Sequence, residues 1–381
     1  MINNILIKNA SIYHTETSTF SSPKDIQVTD GKITRIEENI KAEKNWELVE
    51  GEKLCISSGW TDCHTHLSGF DPFLTYPSLG CTRIHDAGSF GAKNYYKIHD
   101  VISRMPFPVT TYLYVGQYGV EDGELKTLDN IQEDLFCETA ERYRGEIIGA
   151  KIRIDPRVNC DTYKSLRIAK KLAVRANLPL IVHPSRSEDT LESILEVLER
   201  NDVYTHSYSQ VAPSLFDKNG QIKQCVWDAM KKGVRFDLAH GSNNFSYDIA
   251  REAMRQGFQT ETISTDLHLR NYDRAGISLA GVMTKAIHAG FTVEQALNRV
   301  IDAPLQLLGI GEKKPAVAVG EKADLTVFTV KNGEFEMPDS RAVMEKCDIR
   351  IQDVATIYGA SLQRSLAMAI PNDTYFTLQD R

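Results

Sequence analysis

His64 and His66 form a pair of imidazoles in the segment Gly-Trp-Thr-Asp-Cys-His-Thr-His. Side chains two apart on a strand project to the same side, so we expect these two rings to project together, away from Cys63 and Thr65. Imidazole nitrogens are common ligands of divalent metals. Two histidines near a strand end can equally be ordinary hydrogen-bonded polar groups, so the pair alone leaves both interpretations open.

Other side chains that can bind metal end later apolar runs of the sequence. Lys151 ends the run that starts at Ile147, and His183, His206 and Asp266 end later ones. Taken singly, each has a structural explanation: a solvated cation, a core histidine or a turn cap. Catalytic groups of a parallel barrel lie at the C-terminal ends of its strands, so their joint placement favours one metal site.

From residue 56 onwards the sequence alternates between predicted strands and predicted helices, and these elements must position the candidate ligands. Amphipathic stretches at 161–176 and 190–200 have apolar residues at helical spacing, and 279–287 and 292–308 are also predicted to be helical. Eight strand and helix units predict a (β/α)8 TIM barrel over residues 56–314. The predicted strands end near His64, His85, Tyr114, Lys151, His183, His206, His240 and Asp266.

The two chain ends share a different pattern, in which short strands alternate with turns. Ile5 to Ile7 and the turn Asp30-Gly31-Lys32 illustrate it at one end, and residues 320–328 at the other. We therefore expect residues 1–55 and 315–381 to form one composite β-sandwich domain beside the barrel.

Composition and charge narrow the class of partner. The chain has 381 residues, 42% of them hydrophobic, with a formal charge of -7 and no basic stripe for phosphates. This pattern argues against nucleic acid and membrane partners and favours a small-molecule substrate. The seven cysteines form no CxxC pair and no signal peptide is evident, so we expect a cytoplasmic protein.

These motifs resemble the amidohydrolase superfamily, in particular its members with two divalent ions bridged by a carboxylated lysine. The resemblance covers essentially the whole chain. Within the superfamily, the sequence is most similar to a bacterial subgroup that is often labelled dihydroorotase or adenine deaminase and that contains deacetylases. It is carried by Asp30 to Ile33, Gly59 to His66, Tyr204 to His206, Asp237 to Gly241, Ser264 to His268 and Gly320 to Phe328.

The resemblance implies a complete ligand set. His64, His66 and Asp266 would hold the more buried ion, and His183 and His206 the more exposed one. The carbamate formed from Lys151 and carbon dioxide would bridge both ions, with zinc as the expected metal. A bridging hydroxide would attack the substrate, and catalytic Asp266 would pass the water's proton to the leaving group. Family habit suggests a homo-oligomer.

Candidate substrate contacts follow the same strands. Arg153 and Arg157 could pair with a substrate carboxylate, although surface solvation explains them as well. His240 is expected to face the pocket, and Asn243 could bind an amide. Asp62 shares the strand parity of His64 and would either orient a ligand histidine or be a buried, satisfied acid.

The sequence thus predicts a metal-dependent hydrolase that cleaves an amide or ester of a small, carboxylate-bearing substrate. The leading class is an N-acyl amino acid or acylated hydroxy acid, as for a deacetylase. The alternatives are a cyclic amidohydrolase like dihydroorotase or hydantoinase, an adenine deaminase, and a non-catalytic scaffold.

Overall fold

The computed structural model describes residues 4–69, 71–120, 124–271, 278–311 and 313–365. The strands are β1 Asn4–His14, β2 Thr19–Phe20, β3 Lys24–Thr29, β4 Lys32–Glu37, β5 Glu47–Val49, β6 Leu54–Ser58, β7 Trp60–Thr65, β8 Cys81–Asp86, β9 Val109–Tyr114, β10 Ile147–Ile154, β11 Leu180–Pro184, β12 Val203–Tyr204, β13 Arg235–Phe236, β14 Asp324–Pro338, β15 Met344–Tyr358 and β16 Ser361–Arg364. The α-helices are α1 Pro72–Thr75, α2 Tyr95–Ile102, α3 Glu133–Arg142, α4 Thr162–Arg175, α5 Leu191–Val197, α6 Gln224–Lys232, α7 Tyr247–Arg255, α8 Leu279–Ala289, α9 Val293–Asn298 and α10 Ala303–Leu307. Short 3₁₀ helices cover Pro77–Leu79 and Leu128–Asn130.

Strands from both ends of the chain form one mostly antiparallel sheet, which we call the terminal sheet. Its order is β16-β15-β14-β6-β1-β3-β4, with β2 and β5 also paired to β1. β6 and β14 join the two ends through antiparallel pairs from Leu325↔Ser58 to Thr329↔Leu54. Its core is aliphatic and includes Ile7, Ile56 and Val327, all fully buried, and each such side chain contributes about 1.5–3 kcal/mol of burial free energy. The exact domain boundaries stay a prediction.

The barrel sheet contains β7 to β13 in consecutive order, all parallel. Residues 262–267 close it through parallel bridges Asp237↔Thr262 and Thr65↔Leu267. On its two sides His240 N donates to Ser264 O (3.1 Å) and Asp266 N donates to His64 O (2.7 Å). The predicted α/β fold class is confirmed: a parallel barrel is accompanied by a separate, mostly antiparallel sheet from both termini, where the sequence predicted a β-sandwich. The eighth segment forms bridges rather than a regular strand, and Asp266 has a φ of 51°.

The helices pack their apolar faces against the barrel. In α4, capped by the Asp161 side chain, the buried residues Leu166, Ala169 and Ala173 recur at helical spacing. The helix predicted over 292–308 is divided into α9 and α10. Pro304 at the start of α10 cannot donate a backbone hydrogen bond and would clash with a preceding helical turn, so a continuous helix is excluded there.

None of the helices within the described ranges is both long and apolar enough to cross a membrane.

Candidate active site

The predicted ligands converge at the C-terminal end of the barrel. His64 lies in β7, Lys151 in β10 and His183 in β11, while His206 and Asp266 follow their strands. One ligand atom each from His64, His206 and Asp266 lies within 4.8 Å of the other two. His66 Nε2 lies 3.2 Å from Asp266 Oδ1. The structure therefore brings the candidate ligands of the more buried ion to one point.

Hydrogen bonds fix which nitrogen of each imidazole faces that point. His64 Nδ1 lies 3.0 Å from Thr205 Oγ1, whose hydroxyl donates to Asp237 Oδ2 (3.1 Å). The Thr205 oxygen must therefore accept from the His64 Nδ1–H, which leaves the lone pair on Nε2. Ser89, donating to Asp86 (2.6 Å), holds His66 Nδ1 (2.9 Å) in the same way.

His206 is also oriented by a hydrogen bond from Nδ1, here to a backbone carbonyl: its Nδ1 lies 2.8 Å from Ala239 O. Its Nε2 is therefore free to face the other candidate ligands. Its Nε2 faces His183 Nδ1 at 2.9 Å and Asp266 Oδ2 at 3.9 Å. Burial lowers the pKa of His206 to about 3 and holds the pKa values of His64 and His183 well below their usual range. Lone pairs of neutral imidazoles and a carboxylate thus meet at one point, and this donor set fits a divalent cation.

Lys151 lies within this cluster, with its Nζ 3.3 Å from His64 Nε2 and its side chain 1% exposed. Burial lowers the pKa of Lys151 to about 8, although the neighbouring Asp266 and Asp237 carboxylates oppose the shift. A buried amine that loses its proton readily can bind carbon dioxide or metal. The structure therefore places a reactive amine beside the candidate metal ligands.

Gly88 makes the space for Lys151. A Cβ at this position, where φ is +89°, would lie 2.6 Å from Lys151 Cγ. We expect Gly88→Ala to displace Lys151 and to lower the zinc bound per chain, as measured by elemental analysis. Gly257→Ala is the matched control, because Gly257 also has a φ of +89° but has no atom within 4 Å of the added Cβ. Equal zinc contents in both variants would contradict this role of Gly88.

Sequence reasoning missed the acids that orient the histidines. Asp237 accepts hydrogen bonds from Thr205, Thr262 and Ser264 and lies 3.4 Å from His64 Nδ1. Asp86 accepts from three backbone amides as well as from Ser89. Both acids end or follow strands as the recognised ligands do, and this position in the sequence could have identified them.

Asp62 and Cys63 do not follow the parity expected from sequence. The β7–β8 register shifts between Asp62 and Thr65. Asp62 accepts from the Thr265 backbone amide (3.1 Å) and from the Thr265 hydroxyl. Cys63 instead packs with Tyr112, and its Sγ is 3.9 Å from Asp237 Oδ1. Asp62 therefore anchors the eighth segment, and burial raises its pKa to about 7.

A cavity of about 750 Å³ opens above the cluster. Its walls combine predicted ligands, cationic side chains, polar loop residues and an apolar edge. The lining residues are His66, Ser68, Val120, Glu124, Lys126, Lys151, Arg153, Arg157, Val158, His183, Ser185, Arg186, Val211, Ser242, Asn243, Asn244, Asp266, His268, Leu269 and Arg270. The predicted substrate contacts Arg153, Arg157 and Asn243 line this cavity.

His240 was expected to face the pocket, but the structure does not bring it there. The ring is 3% exposed, stacks on Phe245 at 5.3 Å and is absent from the cavity wall. Its Nε2 lies 3.0 Å from Lys285 Nζ, on α8. The prediction of direct substrate contact by His240 is corrected, because α8 and Phe245 hold the ring behind the loop.

Arg153 is held by acids that sequence reasoning also missed. Its guanidinium bonds Glu124 Oε1 (3.0 Å) and Asp155 Oδ2 (2.7 Å), and Tyr114 donates to the other Glu124 oxygen (3.0 Å). Arg157 donates to both oxygens of the same Asp155 carboxylate, from Nε to Oδ1 (2.9 Å) and to Oδ2 (3.2 Å). Their side chains are 23% and 53% exposed, respectively. Arg153 is thus the fixed cation of the cavity and Arg157 the more exposed one.

Comparisons with known proteins agree with this architecture. A curated deacetylase of Enterococcus faecalis is 27% identical over 369 residues, covering 94% of this chain and 98% of the relative. A deacetylase of Agrobacterium fabrum is 25% identical over 343 residues, covering 87% and 84%. No family model matches the chain.

Solved structures resemble the whole chain. A crystal structure of a dihydroorotase has a TM-score of 0.83 at 24% identity, covering 95% of this chain and 99% of that one. A crystal structure of an adenine deaminase has a TM-score of 0.81 at 27% identity, covering 95% and 100%. The resemblance to the amidohydrolase superfamily predicted from sequence is confirmed.

Proposed function

We propose that this chain, which fits the amidohydrolase superfamily in fold and sequence, is a metal-dependent hydrolase of the deacetylase type. Its substrate would be a small carboxylate-bearing amide or ester, such as an N-acyl amino acid or an acylated hydroxy acid. The observation that carries the proposal is the convergence of buried imidazoles, Asp266 and Lys151 beneath a cavity lined by Arg153. The curated relatives named as deacetylases support the same reaction.

We propose that the donor set holds two divalent ions in adjoining sites, since donor atoms of His64, His206 and Asp266 lie within 4.8 Å of one another. We assign His64, His66 and Asp266 to the more buried ion and His183 and His206 to the more exposed one. Lys151 would bridge them as a carbamate: its ammonium first loses one proton, and the neutral amine nitrogen then bonds the carbon of carbon dioxide and releases a second proton. A cation thus becomes an anion with the loss of two protons. Zinc suits imidazole and carboxylate ligands. When bound, the ions would acidify a water molecule and polarise the scissile carbonyl.

Asp266 is the proposed proton carrier. Burial alone would raise its pKa, but the hydrogen bond with His66 holds the pKa of this carboxyl well below its usual range. Gly241 allows the backbone to pass close by, since a Cβ there would lie 2.5 Å from Asp266 Oδ2. The Asp266 carboxylate is therefore confined beside the ligand imidazoles, and we propose that it accepts a proton from water and delivers it to the leaving nitrogen or oxygen.

Arg153 is the proposed anchor for the substrate carboxylate. It is two residues from Lys151 on β10, so both side chains point to the same side, and it pairs with His183 across the β10–β11 register. The Arg153 cation thus lies two residues beyond Lys151 and level with His183, on the cavity wall, where it would hold the far end of a small substrate. Arg157 and Asn243 would complete the contact from the cavity wall.

Replacing Arg153 with methionine tests this anchor. We expect KM for an N-acetyl amino acid to rise about tenfold to a hundredfold, as expected for loss of a charge-assisted hydrogen bond, with a smaller change in kcat. The matched control is the same acetyl compound with its carboxylate converted to a neutral amide, for which wild type and variant should have similar KM values. A variant that loses affinity equally for both compounds would contradict carboxylate recognition.

A product-resolved screen tests the function itself. The zinc-loaded enzyme would be assayed with acetylated D- and L-amino acids, acetylated hydroxy acids, cyclic amides and adenine. Release of acetate supports the proposal. Ring opening without acetate would instead assign the dihydroorotase-like reaction, and release of ammonia the deaminase reaction. Retention of zinc without any turnover would favour a non-catalytic protein.

A further inference from the structure

A buried His240–Lys285 pair lies behind the cavity and takes no part in the chemistry proposed above. His240 Nε2 is 3.0 Å from Lys285 Nζ, and His240 Nδ1 is 2.8 Å from Gly241 O. A carbonyl oxygen can only accept, so Nδ1 carries the proton and Nε2 accepts from the lysine. The imidazole is therefore neutral and uses both nitrogens at once.

Lys285 is unusual for a buried lysine. It is 1% exposed in the middle of α8, and within the described part of the chain its amine nitrogen contacts the His240 imidazole rather than a carboxylate. Burial lowers the pKa of Lys285 to about 7, which the Asp339 carboxylate opposes from a distance. Burying an amine without an ion pair is costly, and an arrangement of this kind needs a compensating role.

The loop that this pair touches forms part of the cavity wall. Gly241 N donates to Thr265 O (2.9 Å), and Asn244 N donates to His240 O (3.2 Å). Ser242, Asn243 and Asn244 line the cavity. Because a trans peptide is planar, fixing the Gly241 carbonyl also fixes the direction of the following amide. The imidazole therefore determines the orientation of the peptide that joins Gly241 to Ser242.

The terminal sheet supports the same loop from outside. Ser340, in the turn between β14 and β15, accepts from Phe245 N (3.0 Å) and donates to Phe245 O (2.7 Å) through its hydroxyl. Phe245 in turn stacks on His240, with ring planes 20° apart. Contacts thus run without a break from the terminal sheet through Phe245 and His240 to the backbone beside Asp266.

We infer that His240 and Lys285 are positioning residues that hold residues 241–244 against Asp266 and the substrate. The expected loss of activity rests on the proposed function. The expected loosening of the loop backbone does not. Neither residue touches the reacting atoms. Both act through the backbone of the loop, where a displacement of about 1 Å can cost about a hundredfold in rate.

The test uses three variants of the zinc-loaded enzyme. His240→Ala and Lys285→Met remove the two halves of the pair. His240→Asn keeps a donor near the position of Nδ1 and so retains the Gly241 contact. We expect His240→Ala to lower kcat/KM about tenfold to a hundredfold, Lys285→Met to lower it less, and His240→Asn to recover most of the loss, all at unchanged zinc content.

A second readout does not depend on activity. Amide hydrogen exchange at residues 241 and 244 should accelerate in His240→Ala and Lys285→Met but not in His240→Asn. The control is His288→Ala, since His288 lies on the same helix and bonds Glu345 (2.8 Å) across its interface with β15. The His288→Ala substitution should change the melting temperature at most and should leave amide exchange at residues 241 and 244 unchanged.

The outcomes separate the two proposals. Absence of hydrolysis by the wild-type enzyme would overturn the proposed function, while the exchange data would still test the positioning role. A hydrolytic wild type whose His240→Ala and Lys285→Met variants keep normal kcat, KM and exchange would overturn the positioning role alone.

Discussion

Asp266→Asn is expected to lower kcat by about a thousandfold while substrate binding stays measurable, because general acid–base groups contribute about 10²–10⁴-fold. The amide would keep an oxygen of similar size facing His66, which lies 3.2 Å from the native carboxylate. It could not accept a proton from water or deliver one. The measurement is kcat from acetate release, together with KM or calorimetric binding of an unreactive substrate analogue.

The control for Asp266→Asn is Asp353→Asn. Asp353 is also a buried acid, bonded to Ser365 in the terminal sheet, and burial raises its pKa to about 6. This variant is expected to change stability without changing kcat. Zinc content must be measured in parallel, because loss of the ion from Asp266→Asn would indicate a ligand role only. An Asp266→Asn enzyme with both zinc and normal turnover would contradict the proton-carrier role.

Lys151→Met and Lys151→Ala have the second large expected effect. Removing the Lys151 nitrogen removes the proposed bridge, so the more exposed ion, for which His183 and His206 are the proposed ligands, should be lost first. We expect metal affinity to fall by at least about a hundredfold, because even residues that only orient ligands cost about 10–100-fold when replaced. Turnover should fall with it. Zinc per chain after dialysis, with and without bicarbonate, measures the effect.

Lys314→Met is the matched control for Lys151. Lys314 is also buried, but it bonds Asp324 Oδ2 (2.9 Å) and Thr82 Oγ1 (3.0 Å) between the barrel and the terminal sheet. Its loss leaves Asp324 unpaired and should lower stability while the zinc content stays at the wild-type value. A Lys151→Ala enzyme that keeps two tightly bound ions and full activity would refute the carbamate bridge. Carbon-13-labelled bicarbonate should also give a carbamate signal in wild type alone.

The barrel, and the convergence of the candidate ligands at its C-terminal end, could be predicted because both depend on local patterns. Apolar runs that end near Lys151 or His183 identify parallel strands, and the barrel topology places strand ends together without further information. The terminal sheet followed in the same way from turn and strand patterns at both ends. The break between α9 and α10 could also have been anticipated, since Pro304 marks it in the sequence.

What could not be predicted depends on packing between distant segments. The β7–β8 register shifts between Asp62 and Thr65, so strict alternation along β7 does not predict the contact of Asp62 with Thr265 or of Cys63 with Tyr112. His240 ends a strand as the ligands do, but Lys285 and Phe245 hold its ring away from the pocket. Glu124 lies 29 residues before Arg153, and its ion pair leaves no local pattern in the sequence.

The central claim is that the imidazoles, Asp266 and Lys151 hold metal ions that the reaction requires. The most direct measurement is a zinc titration of metal-free protein, with bicarbonate present, in which bound zinc and acetate release from acetylated amino acids are followed together. The proposal predicts that activity is absent without metal and reaches its maximum as two zinc ions bind per chain. A protein that binds no zinc under these conditions, or hydrolyses its substrate equally well without metal, would contradict it.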